Sequence, residues 1–145
     1  MKLDKHIESG WSENFQVIPG LICVADVVSM VREKLENFLH IHEVDEMQID
    51  FLLMGVTEAI ENAIKYGSDN TPIQICYSLE NKRFCVEMIN EARPVSPERD
   101  IEAGKYSPGG TLMRGMLVME KVFDTVGIDL EEKTGTVVFS AIKSL

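Results

Sequence analysis

Near Gly67 the hydrophobic period of this chain switches from about 3.6 residues to 2, and that switch limits what the chain can fold into. Before it, Leu21, Ala25, Val28, Leu35 and Phe38 recur at helical spacing, with Arg32, Glu33, Lys34 and Glu36 on the other side. A second helical face runs through Leu52, Val56, Ala59 and Ala63, flanked by Leu53, Ile60 and Ile64, and stops at Gly67. After it, Ile73, Ile75, Tyr77 and Leu79 alternate with polar residues, as do Phe84, Val86 and Met88, with Asn81-Lys82 as the turn of a hairpin. Leu112, Met116, Met119 and Phe123 mark a third helix. Val126, Ile128 and Leu130 then alternate, and a polar turn at Glu131–Gly135 leads into a last strand, Thr136–Ile142. Phe15 and Val17 read as a short edge strand ending at Pro19-Gly20. Helices and strand pairs segregate, so the expected class is α/β, an α+β two-layer sandwich with helices on one face of a mixed, mostly antiparallel sheet.

A chain of 145 residues has the usual size of one domain, so 1–145 reads as one unit with residues 1–13 as a loosely ordered leader. The formal net charge of −10 repels a phosphate backbone, which argues against direct nucleic-acid binding. No apolar run approaches the ~20 residues that span a bilayer, and Met1 to Glu8 are charged, unlike a signal peptide. Cys23, Cys76 and Cys85 form no CxxC pair; with Cys76 and Cys85 in apolar runs they read as buried, reduced thiols of a cytoplasmic protein. From Glu91 to Gly110 the chain is rich in proline and glycine, a loop of about 20 residues whose length points to function. His40 and His42, with Glu43 beside them, sit at i and i+2 and do not share a helix face, and with no third ligand at metal spacing they read as a helix end. Trp11 has no assignment.

The stretch most informative about chemistry is Glu58-Ala59-Ile60-Glu61-Asn62-Ala63-Ile64-Lys65-Tyr66-Gly67. Glu58, Asn62 and Lys65 fall at i, i+4 and i+7, so they form one polar stripe on a helix. Glu and Lys at this spacing are ordinarily a solvated face. Asn is a mediocre helix former and needs a reason in mid-helix. A carboxylate, an amide and an ammonium in line can serve a metal-bound triphosphate. The amide oxygen can ligate magnesium, the carboxylate can accept a hydroxyl proton, and the ammonium can face phosphates.

The pattern Glu-Ala-x-x-Asn-Ala-x-x-x-Gly, on the second helix and followed by a hairpin, a long loop and a glycine-containing helix, resembles the N-box of the GHKL, or histidine-kinase-like, ATPases. Within them the chain is most similar to the anti-sigma-factor serine/threonine kinases of bacterial stress and sporulation switches, over roughly Phe15 to Lys143. The resemblance implies a Bergerat-type fold, ATP and Mg2+ as ligands, Asn62 on the metal and Glu58 as the general base for a serine hydroxyl.

Other landmarks of that family align with departures. Its acidic Asp-x-Gly box, which reads the adenine amino group, corresponds to Asn90-Glu91-Ala92, and the Pro-x-x-Pro that follows is kept as Pro94 to Pro97. Asn90 can still accept a hydrogen bond but loses its charge-assisted part, and Ala92 has less backbone freedom than glycine. Its second glycine-rich region corresponds to Met113-Arg114-Gly115, with Gly109-Gly110 upstream as a further source of backbone freedom. Amides at this helix start, with Arg114, can hold phosphates. Gly135-Thr136-Val137-Val138 matches the family's Gly-Thr-Thr-x at the start of a strand.

The resemblance implies an anti-sigma factor that phosphorylates a serine on an antagonist (anti-anti-sigma) protein and sequesters a sigma factor, commonly as a homodimer through the first strand and helix. Phosphorylation adds charge at the antagonist interface and breaks that complex. Two alternatives stand beside it. One is a nucleotide-binding regulator without catalysis, which Asn90, Ala92 and Met113 favour. The other is a domain that acts by protein contact alone, for which Asn62→Ala changes only local stability.

Overall fold

In the computed structural model the described residues are 10–19, 23–67, 71–91, 111–131 and 133–145. They form β1 (Trp11–Val17), α1 (Val24–Ile41), α2 (Glu46–Tyr66), β2 (Ile73–Glu80), β3 (Arg83–Glu91), α3 (Thr111–Val122), β4 (Thr125–Glu131) and β5 (Thr136–Ser144). The strands make one five-stranded sheet in the order β1-β2-β3-β5-β4. Every ladder is antiparallel, so the expected mixed sheet is in fact wholly antiparallel among these residues.

Local chemistry sets the boundaries. Asp45 caps α2 by accepting a hydrogen bond from the Met47 amide at 3.2 Å. The hairpin between β2 and β3 turns at Asn81 and Lys82, with φ of 51° and 60°, the paired positive values of a type I′ turn. Alternation along the strands sends Ile73, Ile75, Tyr77, Phe84, Val86 and Met88 to one face, where they meet Val27, Val31, Leu35, Leu52, Val56 and Ile60 of the helices. Gly55 lets α3 approach α2 closely: a Cβ there would stand 2.7 Å from the Phe123 ring and 2.8 Å from Val122 Cγ1. Among the described residues no helix is long and apolar enough to cross a membrane.

Several expectations are corrected. α1 buries Val27, Val31, Leu35, Phe38 and Leu39, whereas Ala25 is exposed and Val28 half-buried. Two apolar stripes run along this helix, and the one with the larger side chains faces the core. Trp11 to Glu13 belong to β1, not to a loose leader, because Trp11 stacks on the His42 ring at 4.4 Å and Glu13 accepts the Tyr77 hydroxyl. Cys76 and Cys85 are half-buried rather than buried, since they alternate onto the outer face of the sheet; Cys23 is exposed, and all three are free thiols. Residues 1–9 and most of the Glu91–Gly110 stretch lie outside the described residues.

Candidate functional site

The last three turns of α2 and the end of β3 converge. Glu58 and Asn62 are half-buried on α2, about 6 Å apart along the helix axis, with Lys65 exposed a turn further on. Asn62 Nδ2 is buried and has no hydrogen-bond partner among the described residues, as is Thr57 Oγ1. Buried amides normally have partners, so this orphan on the predicted stripe is a candidate place for a ligand. Lys65 Nζ lies 5.6 Å from the centre of the Tyr66 ring, held at the edge of this region by a cation–π contact.

Asn90 approaches from β3. It is only 8% exposed and donates from Nδ2 to the Ala63 carbonyl at 3.1 Å. Ala63 carries one of the last four carbonyls of α2, which the helix itself leaves unsatisfied, so Asn90 closes the helix end. An aspartate could not donate this bond. With Nδ2 committed, the amide presents Oδ1 as an acceptor.

Gly67 makes the approach possible. Its φ of −90° and ψ of 174° are extended, so its role is not the left-handed turn of a usual helix-ending glycine. A Cβ there would lie 2.4 Å from the Ala63 oxygen and 2.6 Å from Asn90 Nδ2. Only a residue without a side chain lets the helix end and Asn90 meet.

The structure does not bring Thr136 to this group. Thr136 pairs with Glu91, whereas Asn90 pairs with Val137. Alternation therefore puts Thr136 on the outer face and Val137 on the face that carries Asn90. Val137 pairs in turn with Leu130. Asn90, Val137 and Leu130 form a row across three strands, roughly 10 Å from end to end. Leu130 and Ile128, on that same face, are 55% and 50% exposed, an apolar shelf beside the Asn90 acceptor. Strand alternation identifies these residues as apolar in sequence, but not that their face lies open at this end. Arg114 and Gly115 fall in the first turns of α3, while Ala92, Gly109 and Gly110 lie outside the described residues.

The donor set suits magnesium held mainly by phosphates and water. One amide oxygen is available at Asn62, and no group of three or more His, Cys, Asp or Glu that could hold a metal occurs among the described residues. The rest of the group is a polar stripe on α2 and, where Asn90 meets the Ala63 carbonyl, an acceptor with an apolar row beside it on the sheet.

Residues 24–141 match the Histidine kinase-like ATPase domain family. The chain belongs to that family. The histidine kinase-like ATPase domain accounts for the layering of α1, α2 and α3 on one face of the sheet, and it implies nucleotide binding. The chain is also similar to the anti-sigma F factor of Clostridium acetobutylicum, at 29% identity over 61% of this chain and 66% of that protein. The matched stretch thus spans just under two thirds of that relative. Among solved structures, a chain of the SiaB–SiaC complex from Pseudomonas aeruginosa superimposes with a TM-score of 0.60 at 12% identity, over 100% of this chain and 96% of that one. At that identity the likeness is one of fold.

Proposed function

We propose that this chain is a single-domain, ATP-binding anti-sigma regulator that transfers the γ-phosphoryl group to a serine on an antagonist protein. The observation that carries the reading is the orphaned Asn62 amide, one turn beyond Glu58 on the same helix face. A half-turn of that amide presents its oxygen to a metal. Glu58 takes the proton of the serine hydroxyl as the serine oxygen bonds to the γ-phosphorus. The bond to the bridging oxygen breaks and ADP leaves. Bound magnesium would supply charge neutralisation along the phosphates, and the protein's part in such a transfer is chiefly positioning. Asn90 Oδ1 accepts from the adenine amino group, and the ring lies against Val137 and Leu130. In this reading Lys65, Arg114 and the amides at the start of α3, Gly115 among them, serve the phosphates, Gly109 and Gly110 supply backbone freedom upstream, and Ala92 belongs with Asn90 to the adenine-reading box.

The anti-sigma F relative supports a sigma factor and a serine-bearing antagonist as partners, and the SiaB–SiaC complex supports a protein partner for this fold. A cytoplasmic homodimer is part of the same reading.

A second reading, nucleotide binding without transfer, is favoured by Asn90. Its amide accepts without a charge, so its hold on adenine is weaker than a carboxylate's.

Calorimetric titration of ATP with and without magnesium, on wild type and Asn62→Ala, tests the shared core of both readings. Magnesium-dependent binding that the substitution abolishes is expected. No binding by wild type up to millimolar ATP would sink both. Loss of phosphotransfer to the antagonist in Glu58→Ala, with binding retained, separates the kinase from the silent regulator.

A further inference from the structure

All three non-glycine residues with positive φ among the described residues line one cavity. Glu43, with φ of 60°, lies in the link after α1, and Asn81 and Lys82 turn the β2–β3 hairpin. Asparagine tolerates the left-handed region, but at Glu43 and Lys82 the usual residue is glycine, after a helix and in the second central place of a type I′ turn. Strained backbone of this kind gathers at ligand clamps, and here two separate elements bring it to one place.

The cavity, of about 580 Å³, lies between the α1–α2 link, the start of β1 and the β2–β3 hairpin. That size suits a small molecule. Trp11 forms its aromatic wall. Trp11 stacks on His42, and His42 stands edge-on to buried Phe38 at 4.7 Å, so the stack is anchored in the core while Trp11 stays 46% exposed. Val44, Leu79 and Leu145 add apolar surface.

Three charged side chains line the cavity: Glu43, Asp45 and Lys82. Asp45 uses one oxygen as the α2 cap. Neither Glu43 nor Lys82 has an ion pair among the described residues, with each other or with a neighbour. Of the charges on nearby residues, Glu46 lies 3.3 Å from His40 Nδ1, Glu13 accepts the Tyr77 hydroxyl, and Glu80 and Arg83, of opposite sign, stand across from each other in the ladder. A purely cationic ligand would meet Lys82, and a purely anionic one would meet Glu43 and Asp45. A ligand that carries both signs answers both walls.

We propose that this cavity binds a zwitterion of the amino-acid type, a free α-amino acid or short peptide with an aromatic or branched apolar side chain. Its ammonium group lies on Glu43 and the Asp45 oxygen left over from the cap, its carboxylate on Lys82, and its side chain against Trp11 and Leu79. Both polar contacts are charge-assisted, and the left-handed backbone at Glu43 and Lys82 holds the two charges apart at some cost in stability. Asp45 and Asn62 are about 25 Å apart along α2, so the site is separate from the nucleotide site and stands whether or not a nucleotide binds there.

Trp11 is the chain's one tryptophan, so its fluorescence reports on this cavity. The full chain is titrated with L-phenylalanine, L-leucine and leucylleucine, and with N-acetylphenylalanine and phenylalanine amide, each of which lacks one charge. The expected result is a saturable change in Trp11 emission with the zwitterions and about tenfold weaker binding of each blocked form, the loss of one charge-assisted contact. The tighter binder of the amino acids and the dipeptide identifies the source of the ligand. Glu43→Gln weakens the zwitterion by about the same factor but leaves the N-acetyl form unchanged, and Lys82→Gln does the same for the amide. Lys82→Gly, which installs the usual Asn-Gly turn, raises the urea midpoint while losing the same affinity. No response of Trp11 to any of the zwitterions at millimolar concentration, equal binding of the blocked forms, or losses in the glutamine variants that do not follow the blocked group would overturn the site. So would full affinity in Lys82→Gly.

Discussion

Asn62 and Asn90 are two half-hidden amides with opposite circumstances. Nδ2 of Asn62 is buried without a partner, whereas Nδ2 of Asn90 holds the Ala63 carbonyl. The first contributes nothing to the folded state that alanine would lose. Alanine is also the better helix former by about 0.5 kcal/mol. Asn62→Ala is therefore expected to leave the urea midpoint unchanged or slightly raised while abolishing MgATP binding, as befits a residue kept for function at some cost in stability. A clear drop in the midpoint would mean that Asn62 is structural. Asn90→Asp should do the reverse. It restores the acidic residue that the family resemblance expects, yet a carboxylate cannot donate to Ala63 and would face a carbonyl at the negative end of α2. A loss of about 1–2 kcal/mol at neutral pH is expected, seen as a lower urea midpoint at unchanged slope.

At the scale of elements, the site depends on how closely α2, α3 and β3 approach. Gly55 sits where α3 crosses α2, and a Cβ there would overlap Val122 and the Phe123 ring. Gly55→Ala is expected to cost about 1–3 kcal/mol through overpacking, and to weaken ATP binding because α3 carries Arg114 and Gly115. Full stability in this variant would show that the two helices have room to spare. The same contacts explain what was readable beforehand. Period and turn residues placed α2, the β2–β3 hairpin and β5, because burial on one face leaves a trace in every residue of an element. The Glu58–Asn62–Lys65 stripe was readable too, being local to one helix. The apposition of Asn90 to Ala63 was not, since it joins residues 27 apart in sequence through a glycine whose conformation is unremarkable. The face that Thr136 joins was not legible for a related reason: a motif gives order along the chain, but which face of the sheet a strand residue joins depends on register with β3.

For the molecule as a whole the dominant electrostatic fact is its net charge of −10, which repels itself at neutral pH and is relieved as acids protonate. One carboxylate works against that trend. Asp124, in the link between α3 and β4, accepts a hydrogen bond from the Ser144 amide at 2.7 Å, and Lys143 Nζ lies 3.5 Å away. The Ser144 amide, with the Lys143 charge adding to it, holds the Asp124 carboxyl below its usual range. The Asp124 amide donates to the Ile142 carbonyl at 2.8 Å, so this residue ties the link into β4 to the end of β5. A carboxyl with a lowered pKa in the folded state adds stability above its unfolded pKa of about 3.9, and that contribution fades as pH falls through the folded value. Asp124→Asn should therefore be less stable than wild type at pH 7, and the gap should close progressively below about pH 4. The change in overall charge, which passes through zero near the pI of about 4.7 and turns positive below it, acts almost equally on both proteins, so the difference between their melting temperatures, followed from pH 7 to pH 2, isolates the single group. A gap that stayed constant over that range would mean that the asparagine disturbs packing rather than charge. No gap at pH 7 would mean that water serves the Ser144 amide as well as Asp124 does.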